Sequence, residues 1–229
     1  MIVAGVEVAS LAPVGLPAVA AAGGTAAAFY RALTGQDPAL AEITDDGAFD
    51  RHVLASLLAV ALSEAGHLPE RCGLAAADLA SIARHWFPVL AELAPPAGDA
   101  AEDEEAAMVR DLLLAHRSSN GDLGRWLAAM VARRALEPNH LWEDLGLRER
   151  PELTRLLLRH FEPLALANTR NMKWKRFFYR KLCEDDGIVM CTAPVCTCCQ
   201  DFANCFGDES GESRMAARRR AVLQAGAPS

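Results

Sequence analysis

Asp50-Arg51-His52-Val53-Leu54-Ala55-Ser56-Leu57-Leu58-Ala59-Val60-Ala61-Leu62-Ser63-Glu64-Ala65 is the stretch on which the fold class turns. Val53, Leu54, Leu57, Leu58, Ala61 and Leu62 recur at the 3.6-residue helical spacing, and Gly66 follows as a stop. This predicts a core helix over 50–65. Asp50, Arg51 and His52 then fall in its first turn, where an N-terminal charge cluster with an exposed histidine is the expectation in preference to a catalytic group.

The same period recurs on both sides of this helix. Upstream, an alanine-rich helix is predicted from Thr25 to Leu33, ended by Gly35 and Asp37-Pro38. Downstream, Leu79, Ile82, Ala83 and Trp86 mark a helix from about Ala75 that Pro88 kinks or ends. The lone Cys72 reads as a small buried apolar residue. Ala94 to Asp99 is a linker, after which acidic residues 102–105 open a helix where carboxylates suit the dipole. Helices over 102–116, with Met108, Leu112 and Leu113 inward, and over 122–136, with Leu127, Met130 and Val131 inward, are joined by Ser118-Ser119-Asn120-Gly121 into an antiparallel hairpin. Asn139 is placed as the cap of a short helix reaching Gly146, and Pro151 starts another that runs to about Leu166. A last helix over Arg170 to Cys183 carries six basic residues, Arg170, Lys173, Lys175, Arg176, Arg180 and Lys181, among Trp174, Phe177, Phe178 and Tyr179. Amphipathic packing, with the aromatics inside and the cations outside, is one account of that pattern, and cations that offset the charge of a nearby anionic thiolate cluster are the other. No period-2 strand signal of useful length occurs. The fold class predicted is all-α, a helical bundle ending in an irregular four-cysteine metal-cluster loop.

That loop is Cys191-Thr192-Ala193-Pro194-Val195-Cys196-Thr197-Cys198-Cys199-Gln200-Asp201-Phe202-Ala203-Asn204-Cys205, with five thiols in fifteen residues. Cys191, Cys196, Cys199 and Cys205 form C-x4-C-x2-C-x5-C and are the metal and cluster ligands expected. Cys198 and Cys183 are placed as secondary. Thiolates select iron-sulfur clusters, zinc or Cu(I). Structural zinc sites usually join two close pairs across a longer run, whereas four thiols on one short wrap suit a cluster. A zinc staple stabilising a helical interaction module is the alternative, and a redox or disulfide role is a third.

The chain has 229 residues, a net charge of −7 and 52% hydrophobic residues. That size is enough for one sizeable core, and the acidic balance argues against nucleic acid as partner. Seven cysteines, six of them within 183–205, do not make a secreted disulfide framework and point to a reducing, cytoplasmic setting. Residues 8–30 lack charge, but Pro13, Gly15, Pro17, Gly23 and Gly24 interrupt the run and no basic region precedes it. The expectation is a flexible leader over 1–22 and no membrane span, a helical domain over 23–205, and a tail over 206–229 with a short helix. No phosphate-binding glycine loop, H-E-x-x-H or G-x-S-x-G occurs. His67, His85, His116 and His160 are each read as structural or solvent-facing.

Asn168-Thr169-Arg170-Asn171-Met172-Lys173-Trp174-Lys175-Arg176-Phe177-Phe178-Tyr179-Arg180-Lys181-Leu182-Cys183, followed by the four cysteines at this spacing, resembles the NifQ family of nitrogen-fixation proteins. So do Arg134-Ala135-Leu136-Glu137-Pro138-Asn139-His140-Leu141-Trp142-Glu143-Asp144-Leu145-Gly146-Leu147 and Phe49-Asp50-Arg51-His52-Val53-Leu54-Ala55. The resemblance implies a molybdenum-iron-sulfur carrier rather than an enzyme, supplying molybdenum for the nitrogenase iron-molybdenum cofactor. It also implies molybdate, a cofactor-assembly scaffold and the nitrogenase iron protein as partners. His140 lies within one of the resembling stretches and is the histidine singled out for a role.

Overall fold

The computed structural model describes residues 24–93, 98–101 and 103–185. The leader, most of the 94–99 linker, the cysteine loop with Cys191, Cys196, Cys198, Cys199 and Cys205, and the tail lie outside them. Every regular element among the described residues is helical. In chain order these are α1 (Ala26–Thr34), a 3-10 turn (Pro38–Leu40), α2 (Asp46–Ser63), α3 (Leu68–Cys72), α4 (Ala76–His85), α5 (Leu90–Leu93), α6 (Glu104–Ala115), α7 (Asp122–Ala135), α8 (Leu141–Asp144), α9 (Arg150–His160), α10 (Glu162–Ala167) and α11 (Trp174–Asp185).

Helix α2 is the axis of the fold. Buried residues run almost without interruption from Phe49 to Ala61, so the helix is enclosed on nearly all sides rather than presenting one stripe. It begins at Asp46, four residues before the predicted start at Asp50. Asp45 caps it, its carboxylate accepting from the N–H of Ala48 at 2.8 Å, and Asp46 complements the dipole in the first turn. The extra turn moves Asp50 and His52 into the body of the helix. The exposed charge cluster expected there is corrected accordingly: Asp50 and His52 are buried and Arg51 alone is exposed.

Helix α1 packs along α2 through Phe29, Tyr30 and Leu33, and α6 and α7 pack together as the expected hairpin. Within α6 the buried positions are Val109, Leu112 and Leu113, whereas Met108 is 48% exposed, contrary to the stripe predicted. The short helix α8 starts from His140, not Asn139, and its end touches α2. Gly146 there has φ +70°, and a β-carbon on it would stand 2.6 Å from Val60 Cγ2 and 3.0 Å from the Ser56 carbonyl oxygen.

The single helix predicted from Pro151 to Leu166 is two. Pro163 cannot donate to the Arg159 carbonyl and its ring crowds that oxygen, so the chain breaks at Phe161, with φ −140° and ψ 45°. Ser118 repairs the break from the loop between α6 and α7. Its N–H donates to the His160 carbonyl at 2.9 Å, and its hydroxyl accepts from the N–H of Glu162 at 3.0 Å.

Candidate functional site

Helix α11 is short and highly basic, and its position follows from its aromatics. Trp174, Phe177 and Phe178 lie at i, i+3 and i+4 and are buried together; the Trp174 and Phe177 rings meet edge-on at 5.9 Å. Burial of each is worth about 1.5–3 kcal/mol, which holds the helix down against α6. Tyr179 reaches α6 as well, its hydroxyl donating to Glu105 at 2.5 Å; burial and that carboxylate keep the phenol protonated well above its usual range.

The helix was expected to begin at Arg170 and instead starts at Trp174. Asn171 sits in the left-handed region at φ 52°, a conformation that asparagine tolerates and that ends any continuous helix. The Asn168 side chain closes the turn, accepting from the Met172 N–H at 2.8 Å and donating to the Met172 carbonyl at 2.9 Å. Arg150, at the start of α9, donates to the Asn171 and Met172 carbonyls from outside.

Two of the stretches singled out in the sequence meet here. Lys175 is an exception to the expected cations-outside pattern. It is largely buried and crosses to the loop between α7 and α8, donating to the Glu137 carbonyl and to Asp144 Oδ2 at 2.6 Å. Asn139 donates to the other Asp144 oxygen at 3.0 Å, so Asp144 joins the Glu137-Pro138-Asn139-His140 turn to the basic segment. His140 holds the turn as the residue capping α8, its N–H donating to Glu143 Oε2 at 3.2 Å. Between the turn and the start of α11 lies an open cleft of about 460 Å3, with Pro138, His140, Lys173, Trp174, Arg176 and Tyr179 in its walls. Cys183, two turns further along α11, is half-buried on the approach to residue 186.

The third stretch, Phe49 to Ala55, serves the core. Asp50 receives both Arg159 Nε at 2.8 Å and Nη2 at 2.9 Å, and His160 Nε2 lies 2.9 Å away. Burial opposes ionisation of Asp50, but the hydrogen bonds from His160 and Arg159 outweigh it and hold the carboxyl below its usual range. His52 Nδ1 lies 2.7 Å from the Tyr30 hydroxyl and its Nε2 3.3 Å from Glu152. Glu152 is likewise held ionised against burial by His52 and by the backbone and side chain of Arg148. Burial pushes the Tyr30 phenol up to about 12. Sequence reading missed both clusters, because their partners lie about a hundred positions away.

The remaining sequence candidates are quiet. His85 and His116 each place Nδ1 2.8 Å from the carbonyl four residues back, and His67 is exposed. Cys72 is buried, and burial lifts its thiol to about 12, the inert state expected of it. Arg134 is itself buried and donates to Glu64 at 2.7 Å, fastening α7 to the end of α2. Among the described residues no group of three or more His, Cys, Asp or Glu side chains could hold a metal ion, and no helix is long and apolar enough to cross a membrane.

The family model for NifQ matches residues 53–207, a span that takes in the cleft, α11 and all four loop cysteines. A protein NifQ homolog of Sinorhizobium fredii (strain NBRC 101917 / NGR234) is 43% identical over 176 residues, covering 72% of this chain and 75% of that one. Protein NifQ of Rhodobacter capsulatus is 40% identical over 159 residues, covering 69% and 87%, and protein NifQ of Azotobacter vinelandii is 39% identical over 143 residues, covering 62% and 71%. No solved structure matches the chain significantly. With a match over most of its length and relatives at this identity, the chain belongs to the NifQ family of nitrogen-fixation proteins.

Proposed function

We propose that this protein is a carrier of a molybdenum-iron-sulfur cluster that supplies molybdenum for assembly of the nitrogenase iron-molybdenum cofactor. The observation that carries the reading is the C-x4-C-x2-C-x5-C set, Cys191, Cys196, Cys199 and Cys205, lying inside the family-matched span. Four soft thiolates within fifteen residues fit an iron-sulfur core, whose sulfides are in turn soft donors able to hold molybdenum. The cluster is cargo. A ligand set confined to one short stretch of sequence requires no distant segment of the chain to part when the cargo is handed on. The cationic helix α11, directly before that stretch, complements an anionic thiolate cluster and incoming molybdate.

In this reading the protein is an accessory factor without a catalytic step of its own, acting in the cytoplasm. Its partners are the cofactor-assembly scaffold and the nitrogenase iron protein. Anaerobic purification with metal analysis is the direct test. Iron, acid-labile sulfide and molybdenum in a brown protein support the carrier, whereas a colourless protein with one zinc ion per chain replaces it with a zinc-stapled interaction module. In cells, a deletion strain assayed by acetylene reduction across a molybdate series should be impaired when molybdate is scarce and recover when it is abundant, because mass action substitutes for a concentrating carrier. A defect that abundant molybdate does not relieve refutes the carrier.

A further inference from the structure

Ser118 anchors the turn Ser118-Ser119-Asn120-Gly121 to the start of α10, and the rest of that turn stands in solvent. Asn120 and Gly121 are both exposed, and neither the Asn120 side chain nor the Gly121 N–H makes a hydrogen bond with the described residues. An asparagine followed by glycine is chemically labile. The backbone nitrogen of the next residue can attack the side-chain amide carbon, and glycine places no β-carbon in the way. A fold slows this reaction wherever it ties up that N–H or the side-chain amide in hydrogen bonds, which must break before the two atoms can meet.

The other three asparagines among the described residues are held in this way. Asn139 donates to Asp144 at 3.0 Å, and the N–H that follows it, that of His140, donates to Glu143 at 3.2 Å. Asn168 spends both side-chain atoms on Met172. The Asn171 side chain accepts from Arg150 at 2.9 Å, and the N–H after it is the Met172 N–H already given to Asn168. The charges around Asn120 favour the reaction as well. Arg117 is half-buried and makes no hydrogen bond or ion pair with the described residues. Its Cδ lies 3.7 Å from where a β-carbon on Gly124 would stand, so this cation lies against the first turn of α7. Gly121 caps α7 without a side-chain acceptor, which leaves the positive end of a fourteen-residue helix uncapped beside Asn120. The neighbouring carboxylate, Asp122, is engaged by Arg125 at 3.2 Å.

We infer that Asn120 is a modification site, at which the folded protein deamidates through the Gly121 nitrogen. That nitrogen gives its proton to hydroxide and bonds to the Asn120 side-chain carbonyl carbon; the side-chain nitrogen takes up a proton and leaves as ammonia, and a cyclic imide remains. Water then opens the ring at either carbonyl, giving aspartate or isoaspartate. Both products carry a new carboxylate, no electrons are exchanged, and water is the co-reactant consumed. The new charge stands just before α7, where the helix end and Arg117 both favour it. In the isoaspartyl form the backbone is longer by one carbon. Because Ser118 is pinned to His160 and Glu162, that slack falls between Ser118 and α7, and the break between α9 and α10 keeps its partner. The modification is independent of the metal cargo.

Ageing the full-length protein in mildly alkaline buffer, folded or unfolded in guanidinium chloride, tests this, with tryptic peptides read by mass spectrometry over time. Cleavage after Arg117 and Arg125 releases Asn120 in peptide 118–125, and Asn139, Asn168 and Asn171 fall in three other peptides. In the folded protein, the Asn120 peptide is expected to show the mass gain of amide-to-acid conversion about tenfold faster than the other three. It should resolve into an aspartyl and an isoaspartyl form. Unfolding should accelerate the other three and leave Asn120 nearly unchanged, which separates protection by the fold from the intrinsic lability of the sequence. Gly121→Ala should slow the conversion about tenfold; a β-carbon there meets nothing closer than Ser119 Oγ at 3.9 Å, so the variant keeps the fold. Arg117→Gln should slow it less, by removing the cation alone. The inference is overturned if the folded chain converts Asn120 no faster than the other three, or if unfolding accelerates Asn120 as much as it does them. A rate in Arg117→Gln equal to that of the wild type overturns the part given to the cation.

Discussion

Replacing Asp50 by alanine should be among the most damaging single changes in the described core that leaves every apolar contact in place. Its carboxylate, buried on α2, takes a two-pronged interaction from Arg159 at 2.8 and 2.9 Å and a third contact from His160 at 2.9 Å, both on α9. Removing one member of a buried charge pair costs about 3–5 kcal/mol, chiefly because the partners are stranded. Arg159 is 30% exposed and keeps Asp46 at 2.5 Å, so its share must be discounted for solvent. His160, 8% exposed, has no such escape and by itself accounts for about 1–3 kcal/mol. The expected loss is therefore about 3 kcal/mol, or a fall in melting temperature of about 6–12 °C for a chain of this size. Thermal and urea unfolding followed by far-ultraviolet circular dichroism measure it. The control is Asp46→Ala, which touches the same Arg159 from a 63% exposed position and should cost no more than about 1 kcal/mol. Equal stability of the two variants would refute the claim that burial, and not the ion pair as such, sets the cost.

The same carboxylates predict a pH dependence. Asp50 and Glu152 are held below their ordinary values of 3.8 and 4.5, so their contribution is complete above those values and is lost as pH falls through the lower folded ones; urea midpoints between about pH 5 and 3 should drop more steeply for wild type than for Glu152→Gln, and parallel curves would contradict this. Gly146→Ala forces a β-carbon to 2.6 Å from Val60 at a left-handed backbone position and should cost about 1–3 kcal/mol in the same melts; an unchanged melting temperature would mean that α8 moves freely off α2. Alanine at Cys191, Cys196, Cys199 or Cys205 should each sharply lower iron per chain after anaerobic purification, while Cys183→Ser keeps it. Full iron in two or more of the alanine variants would disprove the ligand set, and a Cys183 variant that keeps iron but loses molybdenum would promote that residue.

What local pattern could convey, it conveyed. The apolar spacing in 50–65 located the central helix, glycine and proline punctuation located most ends, and the turn at 118–121 announced the hairpin. The errors come from interactions that a local window does not contain. Asp50 and His52 look like surface residues until Arg159, His160 and Glu152 are brought across from α9. The split at Phe161 depends on Pro163 but is stabilised by Ser118, more than forty positions earlier. The site divides in the same way. Both halves of the cleft stood out in the sequence as separate stretches, yet their union rests on Lys175, a residue whose composition suggested solvent and whose ammonium is instead bound to Asp144.

The seam between α1 and α2 bears on where this protein can be cut. The family model starts at Val53, seven residues inside α2, while the Asp45 cap, Asp50, His52 and the Tyr30 hydroxyl all come before that border. A fragment trimmed to the matched span would keep Arg159, His160 and Glu152 but discard the groups that pair with them, and would bare the α2 surface that Phe29, Tyr30 and Leu33 cover. Shared ancestry and mechanical integrity thus have different frontiers in this chain, and only a fragment reaching back at least to Thr25, the cap of α1, respects the second.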